Sequence, residues 1–143
     1  MIDHTAEKVF PAHLDQLEPA QEFVHEILEQ YGCAPRALFQ LDVAIEEIFV
    51  NIVHYAYVSD EEGDAVIRCL VGGDPLQLTI QFVDHGRPFN PLAKKDADIT
   101  LSAEERDIGG LGILMVKKSM DAVDYKYEDG QNILTIQKYI NAR

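Results

Sequence analysis

The chain is short of positive charge, poor in cysteine and without a long apolar run. Lys and Arg number 12 against 25 Asp and Glu, a formal net charge of −13 with a sequence pI near 4.6. Phosphate-backbone binding draws mostly on Lys and Arg, so this balance disfavours nucleic acid and anionic membranes as partners. It fits a basic protein partner, or solubility alone. The two cysteines, Cys33 and Cys69, form no CxxC pair, which gives no support to zinc or thioredoxin chemistry. They read as reduced, partly buried thiols of a cytoplasmic protein. The start, MIDHTAEKVF, has no basic segment followed by an apolar core, so no signal peptide is expected. No apolar run approaches a membrane span. No Gly-Lys-Ser/Thr occurs, which excludes a Walker A phosphate loop. The histidines show no ligand spacing, and no zinc site is expected. His25 reads as an exposed helix residue.

What remains is an ordinary globular composition, 47% hydrophobic and 26% charged, over 143 residues. That length suits one domain, residues 1–143. A short strand is expected over Glu7–Phe10. An amphipathic helix is expected over Leu14–Tyr31, stopped at Gly32. Pro35 then suits the first turn of a second helix reaching about Tyr57, with Leu38, Leu41, Ile45, Ile48, Phe49 and Ile52 as its apolar stripe. Runs at Ala65–Val71 and Leu76–Val83 read as a hairpin around Gly72-Gly73-Asp74-Pro75. The stretch Pro88–Ile108 has little periodicity and is long for a connection, which suits an active-site lid. A third helix over Gly110–Met120 and a second hairpin, Val123–Tyr127 with Ile133–Tyr139, complete the chain. The order predicts an α+β fold, a two-layer sandwich whose mixed, mostly antiparallel sheet carries helices on one face.

Three motifs carry chemistry. Glu47 and Asn51 lie one helical turn apart and so share a face, beside the apolar stripe and near His54. A carboxylate and a carboxamide at a core edge need partners, and Mg²⁺ with its water shell would supply one. The same pair on a solvated face would be unremarkable. Asp84-His85-Gly86 ends an alternating strand. An aspartate there can accept from an exocyclic amine, and Gly86 allows close approach of a flat base, although Asp and Gly also favour plain turns. Gly109-Gly110-Leu111-Gly112 opens the third helix. Unpaired backbone N–H groups and the helix dipole make such a start a phosphate cradle. The glycines follow a long polar loop rather than the first strand of a βαβ unit, which disfavours a dinucleotide fold.

In this order the three motifs resemble the N, G1 and G2 boxes of the GHKL ATPase superfamily, and the resemblance runs roughly from Glu7 to Tyr139. Within it the chain looks most like the stand-alone anti-sigma-factor serine/threonine kinases, through EEIFVNIVHYAY and GGLGILMVKKSMD. The resemblance implies the Bergerat ATP-binding fold with ATP and Mg²⁺ as cofactors. It assigns Glu47 as general base, Asn51 as Mg²⁺ ligand and Asp84 as adenine acceptor, with Gly86, Gly109, Gly110, Leu111 and Gly112 contacting nucleotide. It implies transfer of the γ-phosphoryl group to a Ser or Thr of a small antagonist protein, a sigma-factor-like partner, and a possible homodimer. Arg106, Lys94 and Lys95 lie where a cation could reach the β- or γ-phosphate; the alternative for all three is solvated loop charge, and it is the better reading for the two lysines. Two departures stand out: Tyr55 occupies the place of a common His, and Gly130-Gln131 that of a common Gly-Thr. They keep open a nucleotide-gated binding module without kinase activity. An acidic scaffold in which the motifs are chance is the remaining alternative.

Overall fold

A computed structural model of the chain describes residues 2–57, 62–93 and 110–141. Five strands form one sheet: β1 (Ile2–Pro11), β2 (Asp64–Gly72), β3 (Gln77–Asp84), β4 (Ala122–Glu128) and β5 (Gln131–Tyr139). Their spatial order is β1-β2-β3-β5-β4, and every pairing is antiparallel. Three helices accompany them: α1 (Leu17–Glu29), α2 (Pro35–Asn51) and α3 (Gly110–Ser119). This is the α+β layout expected from the order of elements, with the sheet antiparallel throughout rather than mixed.

Strand alternation explains the layering. Along β2 and β3, Ala65, Ile67, Cys69, Val71, Leu78, Ile80 and Phe82 are buried on one face, as period-two side chains must be when that face is covered. The helices supply Ala20, Val24, Ile27 and Leu28 from α1, and Leu41, Ile45, Ile48 and Phe49 from α2. The opposite face is polar in its middle row, where Arg68 bonds Glu7 at 2.7 Å and Gln81 at 3.0 Å across three strands. No described helix is long and apolar enough to cross a membrane.

Element boundaries differ from the sequence reading where local rules compete. The first strand runs to ten residues, Ile2–Pro11, because it pairs with β2 along its length except for a register shift between Ile2 and His4. A 3₁₀ turn, Leu14–Gln16, precedes α1. The α-helical hydrogen bonding of α2 ends at Asn51, and a π-helical turn occupies Ile52–Ala56. Leu38 is only partly buried, and Ala37 takes the inward place at that end of α2. Cys69 is fully buried, which pushes its thiol up to about 12, and burial raises Cys33 as well. Neither is a reactive thiolate at neutral pH.

Phe49 joins α2 to the sheet and is fully buried within this core. Phe49→Ala is expected to cost about 3–5 kcal/mol. A urea titration of the two proteins measures it as a fall in midpoint at constant slope.

Candidate functional site

A cleft opens between the C-terminal half of α2, the ends of β3 and β5, and the segment after β3. It is lined by Ile48, Asn51, Ile52, Ala56, Phe82, Asp84, Phe89, Pro91, Tyr125, Asn132 and Leu134. Most of these are apolar, with a few convergent polar groups, the composition of small-molecule sites.

Asn51 stands on the last turn of α2 and is 7% exposed. Its carboxamide makes no hydrogen bond among the described residues and lines the cleft. No buried side-chain polar atom among the described residues lacks a partner, so the Asn51 amide is open to the cleft, where a bound group could meet it. One turn earlier, Glu47 faces the first turn of α3. A Cβ added to Gly112 would fall 2.0 Å from Glu47 Cδ and 2.1 Å from its Oε2. With no side chain at 112 the helix start comes this close to the carboxyl group, and a larger residue there would displace the Glu47 carboxylate from its present place. Helix α3 begins at Gly110, as the glycine cluster predicts. Its first turn brings the partial positive charge of a helix N-terminus beside that carboxylate.

Asp84, the last residue of β3, is 4% exposed. Its Oδ1 accepts from the Gly86 backbone N–H at 2.9 Å and from Asn132 Nδ2 at 2.9 Å. Burial raises its pKa above the ordinary 3.8, while these two donors pull the other way. Gly86 is held by the scaffold. A Cβ there would meet Ala56 O at 2.1 Å, so the space a side chain would take is filled by the π-helical turn. The next residue locks this approach: Arg87 N donates to Ala56 O at 2.8 Å, and Arg87 Nε donates to Tyr55 O at 2.8 Å. Both carbonyls end a helix, where a cation is electrostatically favoured. Tyr57 adds a strut, its hydroxyl donating to Asp64 O at 2.6 Å and accepting from His85 N at 3.1 Å. Tyr55 stacks on Phe89 with ring centroids 5.0 Å apart and an interplanar angle of 21°, a favourable offset range.

The structure thus brings Asn51 and Asp84 to one cleft, with Glu47 one turn further along α2 against Gly112. Gly86 lies behind the wall of the cleft. Gly110 and Leu111 are in α3, and nothing is described of their side chains. Arg106, Gly109, Lys94 and Lys95, with most of the expected lid, lie outside the described residues. Within the stretch expected to form a lid, Pro91–Ala93 make a 3₁₀ turn, and Lys117 Nζ donates to Leu92 O at 3.5 Å. Asn132 and Tyr125 line the cleft outside every motif. Arg87 and Phe89 lie in the motif that runs Asp84-His85-Gly86-Arg87-Pro88-Phe89, which gives neither a role. Asn132 is recognisable only once β5 is registered against β3, where it pairs with Asp84.

The raised pKa of Asp84 has a stability consequence. The folded state binds this proton more tightly than the unfolded chain does. The stabilisation is therefore complete below 3.8 and is lost as pH rises through the higher folded value. Asp84→Asn keeps an oxygen for both donors and removes the buried charge. Without ligand it is expected to melt above the wild type near pH 7, and the difference should vanish as pH falls toward 3.8. Thermal melts across that range measure the effect.

Comparison with known proteins agrees with this geometry. Residues 10–138 match the Histidine kinase-like ATPase domain family. The serine-protein kinase RsbW of Listeria monocytogenes serovar 1/2a is 29% identical over 121 residues, covering 82% of this chain and 75% of that protein. The serine/threonine-protein kinase BtrW of Bordetella bronchiseptica is 24% identical over 104 residues, covering 73% and 72%. Among solved structures, the RsbU and RsbW domains of Rv1364c from Mycobacterium tuberculosis superpose with a TM-score of 0.69 at 15% identity. That match spans 98% of this chain and 33% of the longer one, and it bears on fold alone. With the family match covering strands β2 to β4, nearly all of β5 and helices α1 to α3, the chain belongs to the Histidine kinase-like ATPase domain family.

Proposed function

We propose that this chain is an Mg-ATP-dependent protein-serine/threonine kinase of the anti-sigma type. It would transfer the γ-phosphoryl group to a Ser or Thr of a small antagonist protein and bind a sigma-factor-like partner. The observation that carries this reading is the convergence of Asn51, Asp84 and the Glu47–Gly112 contact on one side of α2. The RsbW and BtrW relatives, which are named as serine or serine/threonine kinases, support the reaction class.

On this reading Asp84 accepts the exocyclic amine of adenine at the deep end of the cleft. Ile52, Ala56, Phe89 and Leu134 exclude water from the ring faces. The first turn of α3, from Gly110 through Leu111 and Gly112, would offer backbone N–H groups to the phosphates, and Gly109, next in sequence, would join them. The unpaired Asn51 carboxamide fits Mg²⁺, a cation that prefers oxygen ligands and keeps several waters. Bound there with phosphate oxygens, Mg²⁺ would neutralise the transferring charge. Glu47, one turn away, would take the proton of the acceptor hydroxyl. Arg106 would add a cation toward the β- or γ-phosphate. The net charge of −13 favours a basic docking surface on a partner. A homodimer is part of the same proposal.

A second reading has one observation in its favour. Tyr55 stands where related kinases often carry His, and its ring is stacked on Phe89. A nucleotide-gated binding module would keep the cleft and lose the transfer.

Mg-ATP at a hundredfold excess over Kd should stabilise the folded chain by about 2.7 kcal/mol, seen as a raised melting temperature in thermal-shift titrations. EDTA or Asn51→Ala should remove the Mg²⁺-dependent part. Glu47→Gln should keep the shift and lower γ-³²P transfer to the antagonist by about 10²- to 10⁴-fold. Undiminished transfer by Glu47→Gln refutes the base assignment, and full ATP binding without transfer by the wild type selects the second reading.

A further inference from the structure

We propose that Asn132 is a positioning residue that sets the nucleobase preference of the cleft, by fixing which oxygen of Asp84 faces the ligand. The inference rests on the nucleotide-site reading above and names the residue behind its selectivity.

Asn132 lies opposite Asp84 in the β3–β5 register and is 5% exposed. A carboxamide has two N–H donors and one oxygen with two lone pairs. All four positions are used. Nδ2 donates to Asp84 Oδ1 at 2.9 Å and to Arg87 O at 2.9 Å. Oδ1 accepts from Phe89 N at 3.1 Å and from the Tyr125 hydroxyl. The orientation of the amide is chemically determined, because Phe89 N can only donate and Arg87 O can only accept. Saturated in this way, Asn132 has nothing left for a ligand and acts through Asp84.

Its effect on Asp84 follows from counting. Oδ1 of Asp84 already takes two donors, Gly86 N and Asn132 Nδ2. Oδ2 is the oxygen left for a ligand, and as a carboxylate oxygen it can only accept. A base that presents an amine there is bound; a base that presents a carbonyl meets lone pair against lone pair. Without the Asn132 donor this fixed acceptor is lost. The buried carboxyl can then rotate or hold a proton, and a protonated carboxyl donates to a carbonyl. The cleft would cease to distinguish 6-amino from 6-oxo purines. Gln131, at the common Thr position, does not serve this role. It lies on the other strand face, with Nε2 3.0 Å from His85 Nε2.

The test is calorimetric titration of the full chain with ADP and with inosine diphosphate, which differ at the 6-position of the base. The wild type is expected to bind ADP about 100-fold tighter or better, as sites built to hydrogen-bond a substrate group reject analogues lacking it. In Asn132→Ala the ratio should fall below about tenfold, through weaker ADP and equal or tighter inosine diphosphate binding. A purely structural role would weaken both nucleotides alike and leave the ratio intact, which overturns the proposal. Tyr125→Phe removes one anchor of the Asn132 amide from a partly exposed position. It should lower the ratio partway, and if Asn132→Ala does not fold, an unchanged ratio in Tyr125→Phe overturns the proposal. Equal wild-type affinity for both nucleotides refutes this inference alone. Binding of neither refutes the nucleotide site and the inference with it.

Discussion

Helix α2 must satisfy two demands with one surface, and the rest of the site follows from how it does so. Its stripe of Ile45, Ile48, Phe49 and Ile52 has to pack on the sheet. Glu47, half-buried, and Asn51, buried, lie on the adjoining strip at the edge of that contact. An ordinary α-helix would carry the same stripe onward past Asn51. The chain instead opens into a π-helical turn at Ile52–Ala56, a device that re-aims backbone groups and recurs at functional sites. The carbonyls of Tyr55 and Ala56 then face the segment after β3, where Arg87 meets both. Gly86 has no side chain because that approach leaves no room for one. The end of β3 is thus held against α2 by backbone contacts, and the cleft owes its width to them.

The polar node at the cleft floor is bound to the same constraint. Asp84 and Asn132 are almost wholly buried, and each unmet hydrogen bond there would cost about 1–3 kcal/mol. The node meets its own needs except at one carboxylate oxygen of Asp84 and, nearby, the Asn51 amide. Both belong to residues that line the cleft. Burial disfavours the charged form, which is why Asp84 holds its proton more tightly than an exposed carboxyl. The polar atoms left without a protein partner are the ones open to the cleft, where a ligand could reach them.

Legibility in the sequence tracks how local each feature is. The three helices, both hairpins and the one-sided sheet follow from periodicities of 3.6 and 2 with Gly and Pro punctuation, and their order alone specifies two layers. Glu47 and Asn51 are one turn apart, and Asp84 and Gly86 are near neighbours, so their shared placement was readable too. Asn132 was not. It is 48 residues from Asp84, and only strand register joins them. The π-helical turn was hidden because Ile52–Ala56 continues a helical pattern of apolar residues. Its partners are tertiary: Arg87 and Gly86 meet its carbonyls from the segment after β3. The first strand was undercalled because His4, Thr5 and Glu7 make its pattern look polar, while pairing with β2 extends along it apart from a register shift between Ile2 and His4.

The departure at Tyr55 can be weighed from where its parts go. Its ring is stacked on Phe89, a residue of the cleft wall, and its carbonyl holds Arg87. Both contacts shape the side of the cleft near Asp84. Glu47 and Asn51 lie on the preceding turns of α2, and Gly112 reaches Glu47 from α3 rather than from this wall. Substitution of His by Tyr therefore alters the enclosure of a ligand and leaves the candidate transfer residues in place. On the proposed reading, a loss of transfer would originate at Glu47, at Asn51 or in the approach of α3 rather than at Tyr55. The choice between kinase and gated module accordingly turns on Glu47 and Gly112 more than on the residue that departs from the family pattern.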